Sequence, residues 1–283
     1  MLANKRKTTV HISPAPKERG FFYSITMKEA LTTRQIPTLL DMKQVYDAYT
    51  DEDSQVWKIL FDRQVVNLPR AATRAYLDGL KAIAFSSAAI PDFEQVNAEL
   101  MELTGWKLVA VEGIVDDRLF FELMSARQFP ATTWLRKMSE LDYLEEPDMF
   151  HDVFAHVPLL TNQAFVDFLE ALSRIGLRHA DDPVAIDLLR RIYWFTVEFG
   201  LIREREGLRI YGAGILSSAG ETAYCLSDEP SHHAYDVAHI LNTPYRKDAF
   251  QTDYFVIESY EQLFASIGQI DELLEAKLAL ASS

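Results

Sequence analysis

The chain has 283 residues, 48% hydrophobic and 12% aromatic, enough apolar material for a sizeable core. Its formal net charge of −14 argues against nucleic acid or an anionic membrane as the main partner, since both are met by basic surfaces. No apolar run approaches the ~20 residues that span a bilayer, and a lone cysteine, Cys225, excludes an intrachain disulfide and fits a reducing cytoplasm.

Residues 1–38 read as a polar, basic extension with Pro14 and Pro16 in an extended stretch, and 39–283 as one domain. The start, Met1 to Lys7, is basic but lacks the apolar core of a secretory signal. From Met42 onward Val45, Tyr46, Val56, Trp57, Leu60 and Phe61 recur at helical spacing. Two amphipathic helices are predicted over 71–83 and 93–103, with Pro91 opening the second. The run 106–111 is a strand candidate ending at Gly113, and Asp116 and Asp117 cap a helix over 119–124. Helices are expected over 148–156, 162–176 and 184–205, short strands at 209–211 and 255–257, and a final helix from Tyr260. The pattern is mainly α with a few short strands. The tail 270–280 is amphipathic over less than two heptads, too short for a coiled coil, so a monomer is expected.

The chemistry gathers at His151, His156 and Glu198. Two imidazoles and one carboxylate can hold one face of an octahedral metal and leave the other open, which is the ligand set of non-haem Fe(II) oxygenases. Glu198 sits in an almost wholly apolar stretch, 192–202, with Trp194, Phe195, Leu201 and Ile202 on its own helical turns. An ionised carboxylate buried there needs a cation from elsewhere in the fold. The histidine spacing is less specific. Five steps on a regular helix leave the two rings about 140° apart. They meet at one ion only where the helix loosens, and Pro158 lies two residues on. One capping and one core histidine is the competing reading. His232 and His233 fall in a loop after Pro230, with no carboxylate at ligand spacing, and the thiol of Cys225 is expected to pack.

Three stretches carry a resemblance. Glu146-Pro147-Asp148 through His156-Val157-Pro158, Tyr193 to Leu201, and Tyr211-Gly212-Ala213-Gly214 through Ser218 occur in the order and spacing of the tetrahydropterin-dependent aromatic amino acid hydroxylases. The likeness runs from about 56 to 264 and is closest to the short bacterial phenylalanine 4-hydroxylases, which are a catalytic domain alone. It implies a single domain of that hydroxylase type, with iron(II) held by His151, His156 and Glu198, a tetrahydropterin, and L-phenylalanine hydroxylated with O2.

The resemblance also implies roles for matched positions. Arg136 would hold the substrate's α-carboxylate, oriented by Asp148; Pro147, Trp194, Phe199 and Gly214 would surround its ring. Gly113, Ile114, Val115, Asp116, Phe120 and Asp152 would form the pterin site, Tyr193 would lie near the metal, and Ser217 would steady His151. Trp194 favours phenylalanine over tryptophan, since tryptophan hydroxylases usually carry phenylalanine there. Ala155 replaces the family's usual glycine; a helix bears the extra methyl easily, but where the backbone must approach cofactor or iron closely it would tighten the pocket. Hydroxylation of tryptophan or another ring position, and zinc-dependent hydrolysis with the same ligands, stand as alternatives.

Overall fold

The structure is a computed structural model that describes residues 42–281 except 143, 145 and 248. The expected extension, 1–38, lies outside the described residues. Helices α1 (Asp51–Val65), α2 (Arg74–Ala82) and α3 (Phe93–Leu103) form within the stretches the periodicity marks, but α1 starts only at Asp51. Val45 and Tyr46, read at helical spacing, lie before it and are exposed, Tyr46 in a single 3-10 turn. Side chains satisfy the first amide groups of several helices. Thr50 and Asp53 make a reciprocal capping box on α1, and Asp92 caps α3. Asp116 caps α4 (Asp117–Ser125), accepting from the Leu119 amide at 3.0 Å. Asn162 caps α5 (Gln163–Arg178), and Asp182, followed by Pro183, caps α6 (Pro183–Tyr193).

Two small sheets sit among the helices. β1 (Lys107–Val111) pairs in parallel with β2 (Gln128–Thr132), with α4 as the crossover. The second sheet has the order β4-β3-β6-β5, from β3 (Leu201–Glu204), β4 (Gly207–Ile210), β5 (Ser231–Ala234) and β6 (Asp253–Ile257).

Two expectations need correction here. The helix over 184–205 stops at Glu198, and Leu201-Ile202 join β3, paired with β4 on one side and β6 on the other. An apolar run of this kind suits a buried strand as well as a buried helix, and partners distant in sequence decide between them. His232 and His233 lie in β5 rather than a loop. His233 Nε2 is 2.7 Å from Asp253 Oδ1, and His232 Nε2 is 2.7 Å from the Cys225 carbonyl. Cys225 itself is buried, as expected.

The core is aromatic where it backs the histidines. Phe150 and Phe154 stack at 4.5 Å, Trp57 meets both edge-on, and Tyr76 donates its hydroxyl hydrogen to the Phe154 carbonyl at 2.8 Å. At Gly79 a Cβ would come 2.0 Å from the Pro158 oxygen, so only glycine lets α2 lie against the turn that follows His156. Short helices α7 (Ala213–Leu216), α8 (Ala219–Tyr224), α9 (Val237–Asn242) and α10 (Tyr260–Ala265) precede α11 (Ile267–Ala281), which buries Ile270 and Leu274. The final helix expected from Tyr260 is therefore broken in two at Ser266.

Candidate metal centre

Both ligand-bearing segments are wound more widely than an α-helix. Phe150–His156 and Trp194–Glu198 are π-helical, with amides reaching carbonyls five residues back; the Phe199 amide donates to the Trp194 carbonyl at 2.8 Å. On such a turn residues five apart lie over one another. This resolves the spacing of His151 and His156, which a regular helix would splay. Directly afterwards the chain tightens into a 3-10 turn, Val157–Thr161, with Pro158 at its start.

The donor atoms converge. His151 Nε2 and His156 Nε2 lie 3.3 Å apart, His156 Nε2 is 3.3 Å from Glu198 Oε1, and His151 Nε2 is 3.6 Å from Glu198 Oε2. Bonds of about 2.1 Å to one ion place neighbouring ligands roughly 3.0–3.4 Å apart. All three side chains are buried, and both Glu198 oxygens lack a hydrogen-bond partner. Two orphaned carboxylate oxygens beside two imidazole nitrogens are costly without a cation and well satisfied with one. The residues fit a divalent metal.

The tautomer of His151 can be read from its neighbours. Ser217 has one hydroxyl hydrogen, which it gives to the Ala213 carbonyl at 2.9 Å. The 2.9 Å contact between Ser217 Oγ and His151 Nδ1 must then be donated by the imidazole, leaving the lone pair on Nε2 facing the centre. Burial, then His156 and Arg136, hold this imidazole well below its ordinary pKa, so it is neutral and able to ligate. Gly212 lets the Ser217 segment come close: a Cβ there would sit 2.3 Å from the Glu198 carbonyl. Ser217→Ala is expected to lower Fe(II) affinity about ten- to hundredfold, measured by anaerobic competition with a chelator; unchanged affinity would remove Ser217 from the account.

A cavity of about 130 Å³ opens over His156 and Glu198. Its walls come from the loop after β1 (Gly113, Ile114, Val115), from Phe120 on α4, and from Pro147, Asp152, Tyr193 and Trp194. Thr132, at the end of β2, donates both its amide and hydroxyl hydrogens to Asp152 Oδ2 at 2.8 Å. Burial nevertheless pushes the Asp152 carboxyl up to about 7. Phe120 meets the Tyr193 ring edge-on at 5.4 Å. Burial, then Glu198 and Asp152, raise the Tyr193 hydroxyl, which stays protonated.

Residues 38–281 match the sequence profile of the biopterin-dependent aromatic amino acid hydroxylases. The chain belongs to this family. A phenylalanine-4-hydroxylase of Ralstonia nicotianae is 46% identical over 264 residues, covering 91% of this chain and 84% of that protein. One of Chromobacterium violaceum is 49% identical over 224 residues, 79% of this chain and 75% of that one. The crystal structure of the latter with bound iron(III) and 7,8-dihydrobiopterin superposes with a TM-score of 0.81 at 45% identity, over 90% and 94% of the two chains. Its iron- and phenylalanine-bound structure gives 0.79, over 85% and 87%.

Not every expected residue of this hydroxylase lines the cavity. His151 and Ser217 lie behind the wall. Asp116 spends its carboxylate capping α4, and its neighbour Asp117 takes the place in the lining. Phe199 and Gly214 form a second layer: Phe199 packs on Trp194 at 4.5 Å, and a Cβ on Gly214 would strike Phe199 at 2.7 Å. Arg136 and Asp148 are buried beside the site as a two-pronged ion pair, Nε–Oδ2 2.8 Å and Nη2–Oδ1 2.9 Å, and also lie outside the lining. Ala155 is fully buried and absent from the lining, so its methyl packs in the core and does not narrow the cavity.

Sequence reading missed Arg190, Tyr245, Lys247 and Gln251. Asp117 pairs with Arg190 through bonds of 3.1 and 2.6 Å. Tyr245 stacks on Trp194 at 4.5 Å. Lys247 stands at the rim, and Gln251 bonds the Trp194 indole. These contacts join residues far apart in sequence, 51 residues for Tyr245 and Trp194, 57 for Gln251 and Trp194 and 73 for Arg190 and Asp117, and no local pattern announces them.

Proposed function

We propose that this hydroxylase converts L-phenylalanine to L-tyrosine with O2, using iron(II) and a tetrahydropterin. The observation that carries the reading is the convergence of His151, His156 and Glu198 beside a largely apolar cavity that His156 and Glu198 line. Bound iron and reduced pterin would supply the electrons that make dioxygen reactive.

The chain's own part is geometric. His151, His156 and Glu198 would hold the ion, and Ser217 fixes His151 in the ligating tautomer. The loop 113–115 would offer backbone groups to the edge of the flat pterin and Phe120 an aromatic ring to its face, on the wall that Asp152 completes. Pro147 and Trp194, with Phe199 and Gly214 behind, bound an apolar slot for the substrate's ring and keep water from it. Arg136 carries the charge that suits the α-carboxylate. It is buried in its ion pair with Asp148. Tyr193, protonated near Glu198, can donate a hydrogen bond close to the metal.

The catalytic domain spans 39–283, acts as a monomer and works in the cytoplasm. No helix among the described residues is long and apolar enough to cross a membrane.

The test is anaerobic reconstitution with Fe(II), followed by L-phenylalanine, a tetrahydropterin and air, with tyrosine followed by mass. Tyrosine that requires both iron and pterin supports the reading. Iron bound without tyrosine formed overturns the substrate assignment and points to tryptophan or another ring position. Trp194→Phe is expected to raise the tryptophan-to-phenylalanine ratio of kcat/KM by about tenfold or more, as enlarging an apolar slot does. An unmoved ratio would take Trp194 out of substrate selection.

A further inference from the structure

A line of hydrogen bonds leads away from the substrate slot into the core. The Trp194 indole N–H donates to Gln251 Oε1 at 3.0 Å. The other end of that amide, Nε2, donates to the Arg246 carbonyl at 2.8 Å, which settles which end faces the indole. Gln251's backbone N–H donates to Glu221 Oε1 at 3.3 Å, and the Tyr254 hydroxyl donates to the same oxygen at 2.5 Å. Trp194, Gln251, Glu221 and Tyr254 are all buried, none more than 4% exposed.

The indole is also gripped by its faces, with Phe199 and Tyr245 each at 4.5 Å. Ring stacking resists tilting but has little preference for rotation within the ring's plane. A directional bond at Nε1 supplies that preference. Glu221 is an unusual choice for a brace. Burial pushes its carboxyl up to about 7, against the pull of the Tyr254 and Gln251 bonds. It begins the second turn after Ser217, and Ser218 Oγ accepts from its amide at 3.3 Å. One short segment therefore braces His151 through Ser217 and Trp194 through Glu221.

We propose that Gln251 and Glu221 are positioning residues of the substrate slot, fixing the in-plane orientation of Trp194 and so the width offered to the substrate's ring. This rests on the reading of Trp194 as a wall of that slot. Neither residue touches the substrate; Gln251 acts through the indole and Glu221 through Gln251.

The experiment pairs a spectroscopic readout with kinetics on the iron-loaded enzyme. The Trp194 indole N–H resonance is assigned in a nitrogen-15 proton spectrum by its loss in Trp194→Phe. In Gln251→Met it is expected to move upfield, with KM for phenylalanine rising about three- to tenfold, the size of one lost hydrogen bond. KM for the pterin and iron content stay unchanged, and the tryptophan-to-phenylalanine ratio of kcat/KM rises. Glu221→Leu repeats the pattern, whereas Glu221→Gln, which keeps an acceptor for the Gln251 amide, restores the wild-type resonance and KM. Gln251→Asn, with a shorter side chain bearing the same amide, serves if Gln251→Met does not fold.

An unmoved indole resonance in a folded variant overturns the proposal. So does a fall in kcat with every KM unchanged. If the wild-type enzyme forms no tyrosine, the function proposed above fails, while the indole resonance still decides the positioning role.

Discussion

Glu198→Gln is expected to abolish hydroxylation and iron-induced stabilisation while raising the melting temperature of the metal-free protein. The two effects share a cause. Both Glu198 oxygens are buried without hydrogen bonds, 3.3 and 3.6 Å from imidazole nitrogens whose lone pairs the metal would use. Without the ion, a carboxylate there bears a desolvation cost that nothing repays. Glutamine has the same shape, carries no charge and can donate a hydrogen bond to an imidazole lone pair. The metal-free variant should gain about 1–3 kcal/mol, the usual cost of an unsatisfied buried group. Wild type, by contrast, gains about 2.7 kcal/mol from a ligand at a hundred times its dissociation constant, and the variant should gain almost none of it. Anaerobic melts with and without Fe(II) check both halves. A variant that melts lower than wild type without metal, or gains as much from iron, would sink this account of the site.

Asp148→Ala is expected to lower the melting temperature by roughly 10 °C, from a loss of about 3–5 kcal/mol for breaking a buried ion pair, at about 2–4 °C per kcal/mol in a domain of this size. Asp148 accepts four hydrogen bonds: from the Arg136 backbone at 3.0 Å, Arg136 Nε at 2.8 Å, Arg136 Nη2 at 2.9 Å and the His151 amide at 3.2 Å. Removing it leaves a buried guanidinium without its main partner and frees the first turn of the ligand helix. Stability and substrate binding separate in a double variant. Arg136→Met with Asp148→Leu should recover most of the lost melting temperature, because two apolar groups replace a matched pair. KM for phenylalanine should stay high, because the charge meant for the α-carboxylate is gone. Recovery of both, or of neither, would contradict the division of roles given to this pair.

Much of the site was legible because its chemistry is local and expensive. Glu198 stands out in an apolar run that offers it no partner, and such a run can be recognised without knowing the fold. Asp116 before Leu119-Phe120-Phe121 marks a capped helix wherever it occurs, and the cap is present in the structure. Pro158 marked where the helix behind the histidines would loosen, although not that the loosening takes the form of a π turn.

What stayed hidden depends on partners far along the chain. Leu201-Ile202 become strand because Ile210 and Val256 lie beside them, and nothing in the run itself says so. Gln251 looks like a surface glutamine until the fold places it under the Trp194 indole, 57 residues away. Asp116 and Asp117 are neighbours in one motif, yet the helix N-terminus claims the first and the cavity the second.

The π turns under the metal ligands carry one more consequence. A wide turn is a poor choice for an isolated chain, which gains more from regular helix or from solvation. Here Trp57, Tyr76 and the turn at Pro158 press the 150–156 segment into shape from outside. A peptide copied from 147–158 would carry both imidazoles and the proline and still not hold them together. The metal site is therefore not a portable cassette: transplanting it to another scaffold means transplanting the aromatic floor that keeps its helix unwound.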